Sequence, residues 1–377
     1  MSNLFVFGKT VSGDTFTDRE EDTKKLVSNF KYGVNTFIVS PRRWGKTSLV
    51  KKAKDMAEGP DLKVVYVDVH RCRSREDFCE QFASAVLTQT AGKKDEWMEN
   101  ARSFLSRFSF GINASPDPMG EMSLRLQLSP QERSMDDLLQ LPERIAKKKG
   151  FHVVVCIDEF QQIGNFPDSL QFQTELRSVW QHHESTSYCL FGGRKHMMET
   201  IFDDTTKPFY KFGDIIYLGR IPMEYWVKYI TGKFAQEDKY ITRRQAEWIV
   251  RQVDGNSSYV QQLSWYVFQH TGKEVDETSL REAYSELVDQ CSDVFEAKTE
   301  GLTAYQMNFL QAVADGFHTG LSSGKVISNY HLGSSSNVAI IKKSLLDKDF
   351  IMVENKKVLL ADPVMGAWLK GERYRVG

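Results

Sequence analysis

The sequence predicts an α/β fold: a parallel sheet with helices on both faces, followed by a small helical domain and a third domain of different rhythm. Three observations predict it. Through the first 220 residues, apolar β-branched runs alternate with stretches of helical spacing. Those runs are apolar at consecutive positions, as in Val153-Val154-Val155-Cys156-Ile157, which suits strands covered on both faces and hence parallel with crossover helices. Residues 301–377 read as three helices followed by two short strands.

In order, strands are expected at 35–39, 63–69, 151–157, 187–191 and 214–218, with helices at 49–57, 75–89 and 138–148 between the first four. Residues 104–130 interrupt the pattern with Gly111, Pro116, Pro118 and Gly120 beside the alternation Met122-Ser123-Leu124-Arg125-Leu126-Gln127-Leu128. They read as an inserted hairpin or mobile loop, or as an edge strand pair. From 222 to about 299 the spacing is helical, with stripes Trp226, Tyr229, Ile230, Phe234 and Ala246, Ile249, Val250, Val253. Helices at 303–314, 325–330 and 335–347 then precede strands at 350–354 and 358–361, joined at Asn355-Lys356-Lys357. That is the winged-helix order. The expected domains are 1–220 (α/β), 221–300 (helical lid) and 301–377 (winged helix).

The 377 residues carry 49 Lys+Arg against 50 Asp+Glu, a formal charge of -1, so bulk charge draws the chain to neither nucleic acid nor anionic membrane. With 26% charged and 41% hydrophobic residues it is a folded globular chain. Five scattered cysteines without a CxxC pair, of which Cys79, Cys156 and Cys189 fall in core-like runs, predict thiols in a reducing compartment. The N-terminal stretch has no basic lead and is too short for a signal peptide, and no window approaches a membrane span; the expected location is cytoplasmic.

The strongest constellation is Ser40-Pro41-Arg42-Arg43-Trp44-Gly45-Lys46-Thr47-Ser48, set between the strand at 36–39 and a helix beginning at Ser48. A loop so placed aims backbone N–H groups at one spot, where a helix N-terminus adds positive potential for phosphate. Gly45 lets the backbone approach the phosphates, Lys46 bridges the β- and γ-phosphates, and the Thr47 hydroxyl takes a Mg²⁺ position. Ser40 stands where the strict GxxxxGK[ST] pattern has glycine. A second strand ends in Asp158-Glu159-Phe160; Asp158 suits hydrated Mg²⁺ and Glu159 an attacking water. Together they form a Walker A and Walker B pair, which implies ATP or ADP with Mg²⁺.

With those residues placed, the sequence resembles the archaeal-type AAA ATPase family, in the STAND group of P-loop NTPases, over nearly its whole length. Phe16-Thr17-Asp18-Arg19-Glu20-Glu21-Asp22 resembles that family's opening box, which implies that Phe16 and Arg19 pack near the nucleotide base. Ser40 to Ser48 is similar to its proline-arginine-arginine phosphate loop, and Ile157-Asp158-Glu159-Phe160-Gln161 to its Walker B. The stretch from Leu190 to Met198 corresponds to sensor 1, but Gly193 stands at the polar position. Arg194, Lys195 or Lys211 would then supply a charge, and Arg194 is counted with Lys46, Asp158 and Glu159 as catalytic. Gly255-Asn256-Ser257-Ser258-Tyr259-Val260 is similar to the G-G-x-P stretch of the lid, with Ser258 for proline, and Asp362-Pro363 with Trp368 to the family's winged-helix ending.

Other candidates are weaker. Arg71, Arg73 and Arg75 follow the second strand, as a solvated loop or a partner contact. His182-His183, on a helix, has no ligand partner at zinc spacing. Lys147-Lys148-Lys149 before Gly150 reads as a helix C-terminus. From Gly301 on, 9 Lys+Arg face 6 Asp+Glu, leaving +3. Lys342 and Lys343 on the third helix and Lys356 and Lys357 at the wing stand where a winged helix meets DNA. The resemblance implies an ATP-driven switch in signalling or regulation, with slow turnover and a protein partner or homo-oligomer. A nucleotide-dependent DNA-binding protein and a non-hydrolysing scaffold are the rival readings.

Overall fold

The computed structural model describes residues 4–8, 19–91, 111–116, 122–127 and 133–371. The chain divides into two compact units, one of Arg19–Arg42 and Lys46–Leu218, the other of Met1–Asp18, Arg43–Gly45 and Gly219–Gly377.

The first unit is built on helix α1 (Glu20–Lys31), strand β1 (Thr36–Val39), α2 (Lys46–Ala57), β2 (Leu62–Asp68) and α3 (Arg75–Thr90). There follow α4 (Arg133–Leu139), α5 (Leu141–Lys149), β5 (His152–Asp158), a 3-10 turn (Phe160–Asn165), α6 (Ser169–Trp180), β6 (Thr186–Gly192), α7 (Lys195–Phe202) and β7 (Asp214–Tyr217). Between α3 and α4, β3 (Gly111–Pro116) and β4 (Met122–Gln127) pair antiparallel, Gly111 opposite Gln127, which favours the hairpin over a loop.

The five remaining strands form one sheet in the order β2-β5-β6-β1-β7, and every pair in it is parallel. Consecutive residues of β1, β5 and β6 are buried, so both faces of the sheet are covered, as the unbroken apolar runs require. The core includes Phe37 stacked on Phe202 at 3.7 Å and Trp180 on Tyr188 at 4.0 Å between ring centroids. Register decides what meets at the carboxyl edge. Val39 pairs with Gly192 and Ile157 with Leu190, so the end of β6 lies between the loop after β1 and the carboxylates after β5.

Local chemistry accounts for the boundaries. Ser74 caps α3 by accepting from the Asp77 N–H. The triple lysine ends α5, as the sequence predicts, and Gly150 beyond it is left-handed (φ 73°). His182 and His183 lie just beyond α6, not on a helix. The His183 Nδ1 is bonded to the Tyr188 hydroxyl at 2.9 Å and its other ring nitrogen to Gln140. Burial pushes its pKa down to about 4, so it is a neutral structural histidine. Among the described residues no cluster of ligands suits a metal by itself, and all five cysteines are free, four of them buried.

The second unit comprises α8 (Met223–Ala235), α9 (Arg243–Gln252), α10 (Ser257–His270) and α11 (Glu277–Thr299). The winged helix follows: α12 (Ala304–Ala314), α13 (Gly324–Asn329), α14 (Ser335–Asp347), β8 (Ile351–Glu354), β9 (Lys357–Leu360) and α15 (Pro363–Lys370). Capping boxes at Thr242/Gln245 and Thr303/Gln306 start α9 and α12. The wing turn is two residues, Asn355-Lys356, both left-handed, while Lys357 already pairs with Glu354 in the ladder. One apolar core runs through α8 to α15, and Leu4 and Phe5 pack into it, with Phe5 edge-on to Tyr229 and Phe234. No described helix is long and apolar enough to cross a membrane.

Candidate functional site

The loop after β1 turns through two left-handed residues, Arg43 (φ 64°) and Gly45 (φ 88°), before α2 opens at Lys46. A Cβ at 45 would meet nothing within 4 Å, so backbone conformation, rather than crowding, is what glycine supplies there. The first turn of α2 leaves backbone N–H groups without helical partners, facing the loop. Lys46 is 6% exposed, and its ammonium donates to the Ser40 carbonyl (3.1 Å), the Ser40 hydroxyl (3.1 Å) and the Pro41 carbonyl (2.7 Å). The Ser40 hydroxyl thus accepts from the lysine, a role that glycine in the strict pattern lacks. Burial drives the Lys46 pKa down to about 8 against the opposing pull of Asp158 and Glu159, with the Arg42 guanidinium adding to the depression. A buried cation whose hydrogen bonds, among the described residues, go to neutral oxygens fits an anion.

Asp158 closes β5 and is buried. Its Oδ2 accepts from the Thr47 hydroxyl at 3.0 Å and from the Tyr66 hydroxyl, and its Oδ1 from the Glu159 N–H at 2.8 Å. Burial raises its pKa while the Tyr66 and Thr47 hydrogen bonds pull the other way. A hydroxyl and a desolvated carboxylate side by side are the donor set of a hard divalent cation. Glu159 is left-handed (φ 56°) and swings the chain out of the strand. Its Oε2 accepts from the Gln161 amide.

Beside these carboxylates, β6 ends in Gly192-Gly193. A Cβ at 192 would stand 1.6 Å from Gln161 Oε1 and 2.8 Å from its Cδ, so the glycine makes room for the amide that holds Glu159. Gln161 is 3% exposed, and its Oε1 has no hydrogen-bond partner among the described residues.

The predicted residues thus divide. Ser40, Pro41, Lys46, Thr47, Asp158 and Glu159 meet in one place, Ser48 lies buried in the first turn of α2, and Arg42 lies exposed on the loop. Arg43 and Trp44 belong to the second unit. There the Arg43 guanidinium donates to the Tyr259 hydroxyl at 2.6 Å and stands 3.7 Å from Asp362, while Arg220 lies over the Trp44 ring at 5.1 Å. Tyr259 in turn donates to Asp362 at 2.8 Å, and Asp362 caps α15 at the Val364 N–H. Trp368 bonds Ser292. Arg19 is buried, left-handed, and faces Asp22 at 3.4 Å. Arg194 precedes α7 with Nη1 at Met197 Sδ, Lys195 pairs with Glu199, and Lys211 lies over Tyr210. Phe16 lies outside the described residues. In the winged helix Lys343, Lys356 and Lys357 are exposed and Lys342 half-buried, beside Ile340 at 68% exposure.

Sequence reasoning missed Tyr66 and gave Gln161 no separate role. Tyr66 sits two residues before the end of β2, and only the pairing of Asp68 with Asp158 brings its hydroxyl to the carboxylate. The signal within reach was Gln161, two residues beyond Glu159.

Residues 31–197 match the family model described as "AAA domain", and residues 293–371 the one described as "Probable winged helix domain". No curated protein matches the chain in sequence. Among solved structures, a Walker-type ATPase of Pyrococcus abyssi is similar over 98% of this chain and 100% of its own, at 16% identity and a TM-score of 0.69. The ORC2 protein of Aeropyrum pernix, solved as ADPNP–ADP complexes, covers 97% of this chain and 96% of its own, at 14% identity and a TM-score of 0.59. At these identities the likeness is one of fold.

Proposed function

From the premise that this chain joins an AAA domain of P-loop ATPase fold to a C-terminal winged helix domain, we propose that it is a Mg²⁺-dependent ATPase acting as a slow nucleotide switch in signalling or regulation. The observation that carries the reading is the convergence of buried Lys46, the Thr47–Asp158 pair and Glu159 at the carboxyl edge of a parallel sheet. Lys46 would leave its loop carbonyls for the β- and γ-phosphates, and the N–H groups opening α2 would cradle them. Thr47 and Asp158 would hold Mg²⁺, which supplies positive charge across the phosphate oxygens. Glu159, fixed by Gln161, would orient a water and take its proton as the water oxygen bonds to the γ-phosphorus. The bond from that phosphorus to the bridging oxygen then breaks and leaves ADP.

The switch reading rests on the loop itself. Its residues 43–45 fall in the second unit, where Arg43 is bonded to Tyr259 of α10 and placed near Asp362, the cap of α15. A loop that tightens on a γ-phosphate would alter those bonds, and so report nucleotide state to the helical and winged-helix segments.

Phosphate release from ATP by wild type and Glu159→Gln, with Mg²⁺, tests the reading. Turnover falling by about 10²–10⁴-fold in the variant, with ATP still bound, is expected for a lost general base. Equal turnover in both proteins would remove Glu159 from the chemistry, and Lys46→Ala binding ATP as tightly as wild type would remove the site.

A second reading has one favouring observation: the exposed lysines of α14 and the wing, Lys343, Lys356 and Lys357. DNA binding through them predicts duplex affinity that falls with salt and weakens in Lys342→Ala/Lys343→Ala. No binding at low salt, with or without ATP, would exclude it.

A further inference from the structure

Gly193 leaves no side chain at the end of β6 beside Glu159, and the structure shows what occupies that space. A Cβ added at 193 would stand 2.8 Å from Cγ and 3.4 Å from Nε of Arg42, and 3.3 Å from Glu159 Oε1. Arg42 is the third residue of the phosphate loop, so its side chain runs from the loop across the end of β6 toward the Walker carboxylate. Side chains at 42 and 193 exclude one another: 2.8 Å is a clash with the middle of the arginine stem, not with its free end.

We propose that Arg42 is the γ-phosphate-sensing residue of this site, a guanidinium carried on the phosphate loop itself in place of a polar side chain at the end of β6. The inference rests on the nucleotide reading above and deepens it. Three observations support the assignment. The register of β6 between β1 and β5 puts Gly193 between loop and carboxylates, so whatever lies over it borders both. The Cβ position at 193 borders both the Arg42 stem and Glu159 Oε1, so the arginine and the carboxylate share one volume at the end of β6. A phosphate group entering that volume would meet the guanidinium, whose plane matches two phosphate oxygens at once. The cations that follow β6 lie elsewhere in the described contacts: Arg194 has Nη1 at Met197 Sδ, Lys195 pairs with Glu199 and Lys211 lies over Tyr210.

The third phosphate is therefore read by a residue that the diphosphate does not need. Arg42→Ala should weaken a non-hydrolysable ATP analogue by about 10–100-fold and ADP by no more than about threefold, the loss of one charge-assisted contact. Gly193→Asn should show the same selective loss, because its side chain displaces Arg42. In Arg42→Ala/Gly193→Asn the amide has room, and part of the preference for the triphosphate should return. Calorimetric titration of the full chain with each nucleotide and Mg²⁺ measures all four proteins, and melting of each without nucleotide checks the fold. Equal weakening of both nucleotides in Arg42→Ala would overturn the inference and make Arg42 a general phosphate ligand. So would affinities unchanged from wild type, or a double variant no better than Arg42→Ala. Wild type binding neither nucleotide would instead overturn the nucleotide reading, a result that the variants do not produce.

Discussion

Two neighbouring strands of one sheet end in opposite ways. β5 ends in side chains: Asp158 with three donors on its oxygens, then Glu159 forced left-handed to turn its carboxylate aside. β6, paired alongside it, ends in two residues with none. The bareness of one end is a condition of the crowding at the other. Gln161 reaches Glu159 only because Gly192 leaves the space, and Arg42 lies beside Glu159 only because Gly193 does. A buried site holds a fixed volume, so functional groups brought from sequence neighbours must be matched by side chains omitted from spatial neighbours.

The comparison is broken most directly at the glycines. In Gly192→Ala the new methyl falls on a buried amide. A cost of about 1–3 kcal/mol in stability is expected from overpacking, with turnover lowered as Gln161 leaves Glu159. Gly193→Ala meets the stem of an exposed arginine, which moves more easily, so its thermal destabilisation should be smaller. Denaturant melts that rank them in reverse would refute this account of the strand end.

A next, smaller effect is set by pH. Lys46 has a folded pKa lowered to about 8, and bound phosphate must raise it, so nucleotide binding takes up protons above that pH. ATP affinity should therefore fall as pH rises through 8, by up to about tenfold per unit. Calorimetry in buffers of different ionisation enthalpy reads the uptake directly. Without nucleotide the sign reverses for stability: between about 8 and the ordinary lysine value of 10.5 the unfolded chain holds the extra proton, so Lys46 makes folding more favourable as pH rises through that window.

The smallest change sharpens the crowded end alone. Tyr66→Phe removes one hydroxyl from Asp158 and leaves Thr47 and the Glu159 N–H in place. Mg²⁺-dependent nucleotide affinity should shift by about fivefold, the net measure of one typical hydrogen bond. A shift in Mg²⁺-free ADP affinity of the same size would place Tyr66 elsewhere in the energetics.

Much of this molecule was legible in its sequence. Consecutive apolar residues signal a doubly covered parallel strand, and all five expected strands stand within one residue at each end. The loop, the Asp-Glu pair and the winged-helix order were legible because each is local: a turn, a helix start or a hairpin is set by residues adjacent in the chain. α15 was not marked as a helix, since its proline and glycine mask a short apolar stripe that only its cap at Asp362 organises. The histidine pair was misplaced because a helical spacing carries no mark of where the last turn stops.

What the sequence by itself determined is therefore chemistry that is contiguous: which residues form the loop after β1, which end a strand in carboxylates, where helices begin. What only the tertiary structure decided is adjacency across strands. Residue spacing along the chain does not say that β6 inserts between β1 and β5, nor that Asp68 pairs with Asp158. Hence it says nothing of why Gly192 and Gly193 are bare or why Tyr66 matters. Strand order and register are set by the summed packing of a whole sheet, and no single stretch of residues encodes them.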